Sequence, residues 1–257
     1  MPSSCPAEID RQTSLPIGVE GGAIGRVARS SAMPYATPVV FVVDDDVSVR
    51  ESLEALIGFS GWKVEVFATA RDFLVHRRVD APSCLVLDLA LPDLNGLDLQ
   101  KRVAAERPDM PIIFITGYGD VPTSVQAMKT GAVEFLTKPF SDDILLDAIR
   151  EAIERSRAAL QQETELQMLR ARHASLSRRE QEVMALVVAG LLNKQVAYEL
   201  GISEITVKAH RGSMMRKMCA PSFAALVTMA SRLGMREADI GVAPSISPQS
   251  PDRDGNS

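Results

Sequence analysis

The apolar residues of this chain follow two patterns, one after the other. Through the first two-thirds, short apolar runs alternate with segments whose apolar residues recur three and four apart. The runs are Val39-Val40-Phe41-Val42-Val43, Cys84-Leu85-Val86-Leu87, Ile112-Ile113-Phe114-Ile115 and Val133-Glu134-Phe135-Leu136-Thr137, and Lys63-Val64-Glu65-Val66-Phe67 reads as a further strand. Runs this apolar suit strands covered on both faces, as in a parallel sheet. Between them, Val49, Leu53, Leu56 and Ile57 mark a helical face that Gly61 ends, and Thr69 caps a short helix carrying Phe73 and Leu74. Leu97 and Val103 mark the next helix, closed by Pro108. Pro122 fits the first turn of a helix through Val125 and Met128 that Gly131 terminates. Ser141 caps a helix with Asp142 and Asp143 in its first turn, where the dipole favours negative charge. Ile144, Leu145, Ala148, Ile149 and Ile153 are expected on its buried face. Five strands alternating with helices predict a doubly wound α/β domain over 37–155.

The period then changes. Residues 156–173 are polar and helical in composition, a linker in which Leu160, Leu166 and Leu169 allow either a short coiled contact or a solvated connector. Fewer than three heptads favours the connector. Residues 174–236 predict an all-α domain of four helices. Ser177 and Glu180 form a capping-box pattern before Val183, Leu186 and Val187. Gly190 closes that helix, Asn193 opens a short one ended by Gly201, Ser203 caps a third to about Met218, and Ser222 starts a fourth that ends near Gly234. Residues 1–36 and 237–257 mix Pro, Ser, Gly and Ala or Asp without a period and are expected to be disordered. Met33, just ahead of the first strand, is the expected initiator.

Composition narrows the class. The net charge of −5 over 257 residues is unevenly spread. Residues 36–155 hold 12 basic and 20 acidic residues, and 174–240 hold 9 and 6. An acidic module joined to a basic one points to nucleic acid meeting only the second. Cys5, Cys84 and Cys219 have no metal-ligand spacing, which fits a reducing cytoplasm, and Cys84 is expected to fill a core position. No stretch is apolar enough to span a membrane, and no signal peptide is recognisable.

The polar residues that follow the strands carry the chemistry. Asp44, Asp45, Asp88, Thr116 and Lys138 each stand at or just past an apolar run. In open α/β sheets ligands bind beyond the carboxyl ends of the strands, so these five groups are expected to meet. Carboxylates for a hard cation, a hydroxyl and a lone ammonium form a shell suited to a phosphoryl group.

These residues carry a resemblance. Val43-Asp44-Asp45-Asp46, Asp88-Leu-Ala-Leu-Pro92-Asp-Leu-Asn-Gly96, Thr116-Gly117 and Lys138-Pro139-Phe140 resemble a response-regulator receiver domain. Leu176-Ser-Arg-Arg-Glu180, Gly190-Leu-Leu-Asn193-Lys194 and Ile202-Ser-Glu-Ile-Thr206-Val207-Lys208-Ala-His210-Arg211 are similar to a LuxR-type helix-turn-helix. The pair in this order resembles the FixJ/NarL family of two-component regulators, with Thr116-Gly-Tyr-Gly-Asp-Val-Pro122 closest to the FixJ branch. The resemblance implies a flavodoxin-like strand order 2-1-3-4-5. It implies Asp88 as phosphoacceptor, with Lys138 and Thr116 on phosphoryl oxygens, and Phe135 as an aromatic switch, a plain core aromatic being the rival reading. Mg²⁺ would be held by Asp45, Asp88 and the Ala90 backbone carbonyl, with Asp44 acting directly or through water. Tyr118 is large and stands where it could shield the phosphate, so Tyr118→Ala is expected to change the lifetime of phosphorylated Asp88.

In the basic module the third helix is expected in the major groove. Lys208 is the candidate for a guanine edge and Ala209 for a thymine methyl. Arg211 and Arg216 reach bases or phosphates. Thr206, His210, Asn193 and Lys194 are positioning or phosphate contacts, and Lys217 completes the DNA-binding set. The implied partners are double-stranded promoter DNA, a cognate sensor histidine kinase and, on phosphorylation, a second copy of the chain, with RNA polymerase compatible with that role. Val125 and Met128 are candidates for the receiver contact. Phe223, Leu226 and Met229 serve either dimerisation or their own core. The leading expectation is a non-enzymatic, phosphorylation-dependent regulator, activating by analogy. Two others stand beside it: a DNA-binding protein whose receiver is a constitutive dimerisation module, and a magnesium-dependent phosphatase. The phosphatase lacks an acid/base Asp at position 90, where Ala stands.

Overall fold

The computed structural model describes residues 37–117 and 121–235. The expectations for 1–36, Met33, Tyr118 and the tail lie outside the described residues.

The apolar runs become β1 (Val39–Val43), β3 (Ser83–Asp88) and β4 (Ile112–Thr116), buried at every position, flanked by β2 (Lys63–Phe67) and β5 (Glu134–Thr137). All pair in parallel in the order β2-β1-β3-β4-β5. Unbroken apolar runs thus take the central places, where both faces are covered, and the mixed runs take the edges. Successive side chains point to opposite faces. Phe41, Val43, Leu85, Leu87 and Phe114 meet Phe73 of α2 (Ala70–Val75), Leu99 and Val103 of α3 (Gly96–Glu106) and Ala127 of α4 (Val121–Lys129). Val40, Val42, Val86, Ile113 and Ile115 meet Leu53 and Ile57 of α1 (Val47–Phe59) and Leu145, Ile149 and Ile153 of α5 (Asp142–Ala174). Cys84 is fully buried in this second layer.

Two expectations change here. Ile144 is 52 % exposed, because the buried stripe of α5 runs through Leu145, Ala148, Ile149, Ala152, Ile153 and Ser156. At 100° per residue Ile144 falls a quarter turn off it. The second concerns continuity: the last receiver helix and the helical linker at 156–173 form one element, α5, of 33 residues. Its polar middle is laced by same-helix pairs, Arg155 with Glu151, Arg157 with Glu154 and Gln167 with Glu163. Each such pair supports a solvated helix by a few tenths of a kcal/mol, roughly 0.2–0.5. Leu160 and Leu166 remain partly exposed, while Leu169 is buried in the second core.

That core is built by α6 (Arg178–Val188), α7 (Asn193–Leu200), α8 (Glu204–Met218) and α9 (Phe223–Arg232). Val183, Met184, Val196, Val207, Met214 and Leu226 are its centre. The capping box at Ser177 and Glu180 is formed, and Ser203 and Ser222 cap α8 and α9. Gly201 ends α7 at φ +64°, a left-handed conformation that glycine adopts without steric cost. Among the described residues no helix is long and apolar enough to cross a membrane.

Candidate functional site

The strand register brings the five predicted polar residues together. Val43 pairs with Leu87, Asp88 with Ile115, and Thr116 with Thr137, so Asp44, Asp45, Asp88, Thr116 and Lys138 all leave the sheet at its carboxyl edge. The Lys138 ammonium donates to Asp44 Oδ2 at 2.6 Å and to Asp88 Oδ2 at 2.8 Å, joining residues 94 and 50 positions apart. The other oxygens are held by the following loops. Asp44 Oδ1 accepts the Asp46 amide at 2.9 Å, and Asp88 Oδ1 accepts the Ala90 amide at 3.0 Å. One carboxylate oxygen each from Asp44, Asp45 and Asp88 lies within 4.8 Å of the others. Thr116 is fully buried, and its carbonyl accepts the Lys138 amide at 2.8 Å. Phe135 is half-buried, its ring centroid 6.1 Å from that of Phe114.

Burial pushes the Asp44 carboxyl above its ordinary range, against the opposing pull of Lys138 and the Asp46 amide. For Lys138 burial disfavours the charge, but Asp44 and Asp88 outweigh it and hold the ammonium above its usual value. Three carboxylates against one ammonium leave a surplus of negative charge. All-oxygen donors of this kind suit a hard divalent cation such as Mg²⁺.

In the second module the expected DNA residues divide into three groups. Lys208, Ala209 and Arg216 stand exposed on α8, and Lys194 is exposed on α7. Thr206 and His210 are partly buried, and the Thr206 hydroxyl meets Ser203 Oγ at 2.8 Å. The remaining three are engaged within the domain. Arg211 donates to Asn193 Oδ1 at 2.5 Å, and its guanidinium lies 5.5 Å from the centroid of the Phe223 ring, tying α8 to α7 and α9. Lys217, also expected at DNA, donates to Glu180 Oε2 at 2.6 Å. The reason is burial: Glu180 is almost fully enclosed and requires a counter-charge. Burial opposes its ionisation, but Lys217, the Ser213 hydroxyl and Ser177 outweigh that and bring its pKa down to about 2.

Comparison with known proteins follows this division. Residues 40–150 match the response regulator receiver domain, and residues 174–230 match the luxR family of bacterial regulatory proteins. The chain is 51 % identical over 197 residues to Nodulation protein W of Bradyrhizobium diazoefficiens, covering 77 % of this chain and 87 % of that one. It is 43 % identical over 196 residues to the transcriptional regulatory protein FixJ of the same organism, covering 76 % and 96 %. The solved structure of the response regulator StyR superposes with a TM-score of 0.68 at 46 % identity, over 77 % of this chain and all of that one. The chain belongs to the FixJ/NarL family of response regulators.

As a response regulator it is a two-component transcription regulator, not an enzyme, and its two modules imply a sensor kinase and DNA as partners. Within this response regulator the structure adds residues that the pattern of the chain did not single out. Arg50 donates to the Asp44 carbonyl at 2.7 Å and braces the β1 loop from α1. A Cβ on Gly96 would lie 2.9 Å from the Asp88 carbonyl oxygen and the Leu89 Cα, so only glycine lets α3 start this close to the site. Glu180 was legible as a cap, but its partner lies 37 residues further on, and no local signal reports that. Its position three residues after a capping Ser was the sole hint.

Proposed function

We propose that Asp88 is the phosphoacceptor of a phosphorylation-dependent transcription factor, acting through the receiver domain at 37–155 and the helix-turn-helix domain at 174–236, with 156–173 as the helical linker between them. The observation that carries this is the Lys138 ammonium shared between Asp44 and Asp88. An Asp88 oxygen attacks the phosphorus of a phosphohistidine on the sensor kinase. The P–N bond breaks as the P–O bond forms, and the imidazole leaves. Lys138 then exchanges its contact with Asp88 Oδ2 for a phosphoryl oxygen. The Thr116 hydroxyl donates to another, and Phe135, packed beside Phe114, follows it inward. The carboxylates of Asp44, Asp45 and Asp88 and the Ala90 carbonyl would hold Mg²⁺. When bound, that ion offsets the charge repelling a carboxylate from a phosphate.

The phosphorylated chain dimerises, with Val125 and Met128, 44 % and 45 % exposed on α4, as contact residues. The dimer presents two copies of α8 to paired half-sites, and promoter occupancy rises, with activation through RNA polymerase. Lys208 and Ala209 read bases. Arg216 contacts bases or phosphates and Lys194 a phosphate, with Thr206 and His210 positioning the helix. Asn193 and Arg211 keep α7 and α8 in register, and Lys217 contributes from its place on Glu180.

The test compares wild type with Asp88→Asn, each with and without a small-molecule phosphodonor and Mg²⁺. We expect label on wild type only, released by hydroxylamine, and tighter promoter binding only where label is present. Equal DNA affinity in all four cases would leave the receiver as a constitutive dimerisation module and defeat the proposal.

A further inference from the structure

Ile205 is 80 % exposed in the first turn of α8 and is not among the residues that form the core of its module. The helical period decides which way it faces. Val207, Met214 and Met218 are the buried positions of α8. At 100° per residue, Ile205, Lys208, Ala209, Gly212 and Arg216 fall in one sector about 100° wide on the opposite side, with Ile205 near its middle. Lys208, Ala209 and Arg216 are exposed along this stripe, and Gly212 adds no side chain to it. The stripe therefore has two cations, a low centre and one large apolar group at its amino-terminal end. Glu204 lies a quarter turn to the side. Its N-cap, Ser203, holds the turn by accepting the Thr206 amide at 3.1 Å, so Ile205 projects from ordered backbone.

Recognition helices place their amino-terminal residues against base edges. The only apolar group that a base pair displays in the major groove is the thymine methyl. We propose that Ile205 contacts a thymine methyl and sets a preference for thymine near the base read by Lys208. The two residues are three apart, about 4.5 Å along the axis, so the thymine lies within about two base pairs of that base. Ala209, one turn further on, is too short to compete for the same methyl. The inference rests on α8 being the DNA-reading helix and adds which base class its first turn selects.

The experiment uses the full chain, phosphorylated, at one fixed salt concentration. Bound sequences are selected from random DNA by wild type, Ile205→Ala and Ile205→Val. Each conserved thymine is then replaced by deoxyuridine, which lacks only the methyl. We expect one thymine at which deoxyuridine weakens wild type roughly fourfold, the worth of one methyl-sized group leaving water. Ile205→Ala should show no discrimination there, and Ile205→Val should keep part of it. If wild type selects a motif but no thymine responds to deoxyuridine, or Ile205→Ala discriminates as wild type does, the inference is overturned alone. If wild type selects no motif, the DNA-reading role of α8 is overturned with it.

Discussion

Lys138 and Lys208 sit in the two modules and use the same ammonium in opposite ways. Lys138 is 23 % exposed at its side chain and is held by two carboxylates from other strands. Lys208 stands on the open face of α8 and makes no ion pair among the described residues. The first charge is assembled by the fold and is already neutralised before any ligand arrives. The second is left unneutralised, available to whatever polyanion approaches. A group of the first kind is tuned to exchange one partner for another, whereas a group of the second kind supplies attraction that salt can screen.

The contrast is broken most strongly at Lys138. Lys138→Ala leaves Asp44, fully buried, facing Asp88 without a counter-charge. We expect the receiver to lose about 1–3 kcal/mol, the cost of an unsatisfied buried group and below that of a fully buried broken pair because the site is open on one side. The single Trp62 lies in the receiver and follows its urea transition alone. An unchanged midpoint would remove the bridge from the stability of the domain. Lys208→Ala should leave that transition untouched and instead cost about 1–3 kcal/mol at one base pair of the selected site. An equal loss on all sequences would make Lys208 a phosphate contact.

Glu180 sharpens the comparison because it is an assembled site within the basic module. Its pKa of about 2 in the fold lies below the ordinary 4.5, so its contribution is present above pH 4.5 and is lost as the pH falls toward 2. Glu180→Gln keeps the cap and removes the charge. We expect it to cost about 1–2 kcal/mol at neutral pH. Circular dichroism should show that the wild-type helical transition gains stability as the pH rises through that window while the variant does not; parallel pH profiles would refute the pairing with Lys217. The smallest effect is expected at Lys194. Lys194→Ala should weaken binding evenly across sequences and lower the salt slope by about one, read from affinities at several salt concentrations.

These residues also show what could be read before the fold was known. Strand runs such as Ile112–Ile115 were legible because a doubly covered strand has no polar positions. Asp44 and Asp88 were legible because each ends such a run and Lys138 because it follows the mixed run of β5, and a parallel sheet brings run ends to one edge. On helices the reading was weaker. The pairings of Lys217 with Glu180 and of Arg211 with Asn193 were not legible, since a charge on a helix gives no local sign of an acceptor on another helix. Ile144 looked buried because a stripe of five apolar residues does not fix its own centre to within 100°. The length of α5 was hidden by a polar middle that resembles any solvated connector.

That unbroken α5 gives the two modules a countable phase. Each residue of an α-helix advances the azimuth by about 100°, so removing one residue from its polar middle would turn everything beyond it through that angle. Removing seven would bring the far end back to within about 20°, one heptad's drift, though some 10 Å closer. Regulators built on this plan should therefore tolerate shortening by about 7, 11 or 18 residues, which all return the azimuth to within about 20°, and fail at lengths that leave it a quarter turn away, as a shaft does when a keyed coupling is set in the wrong slot.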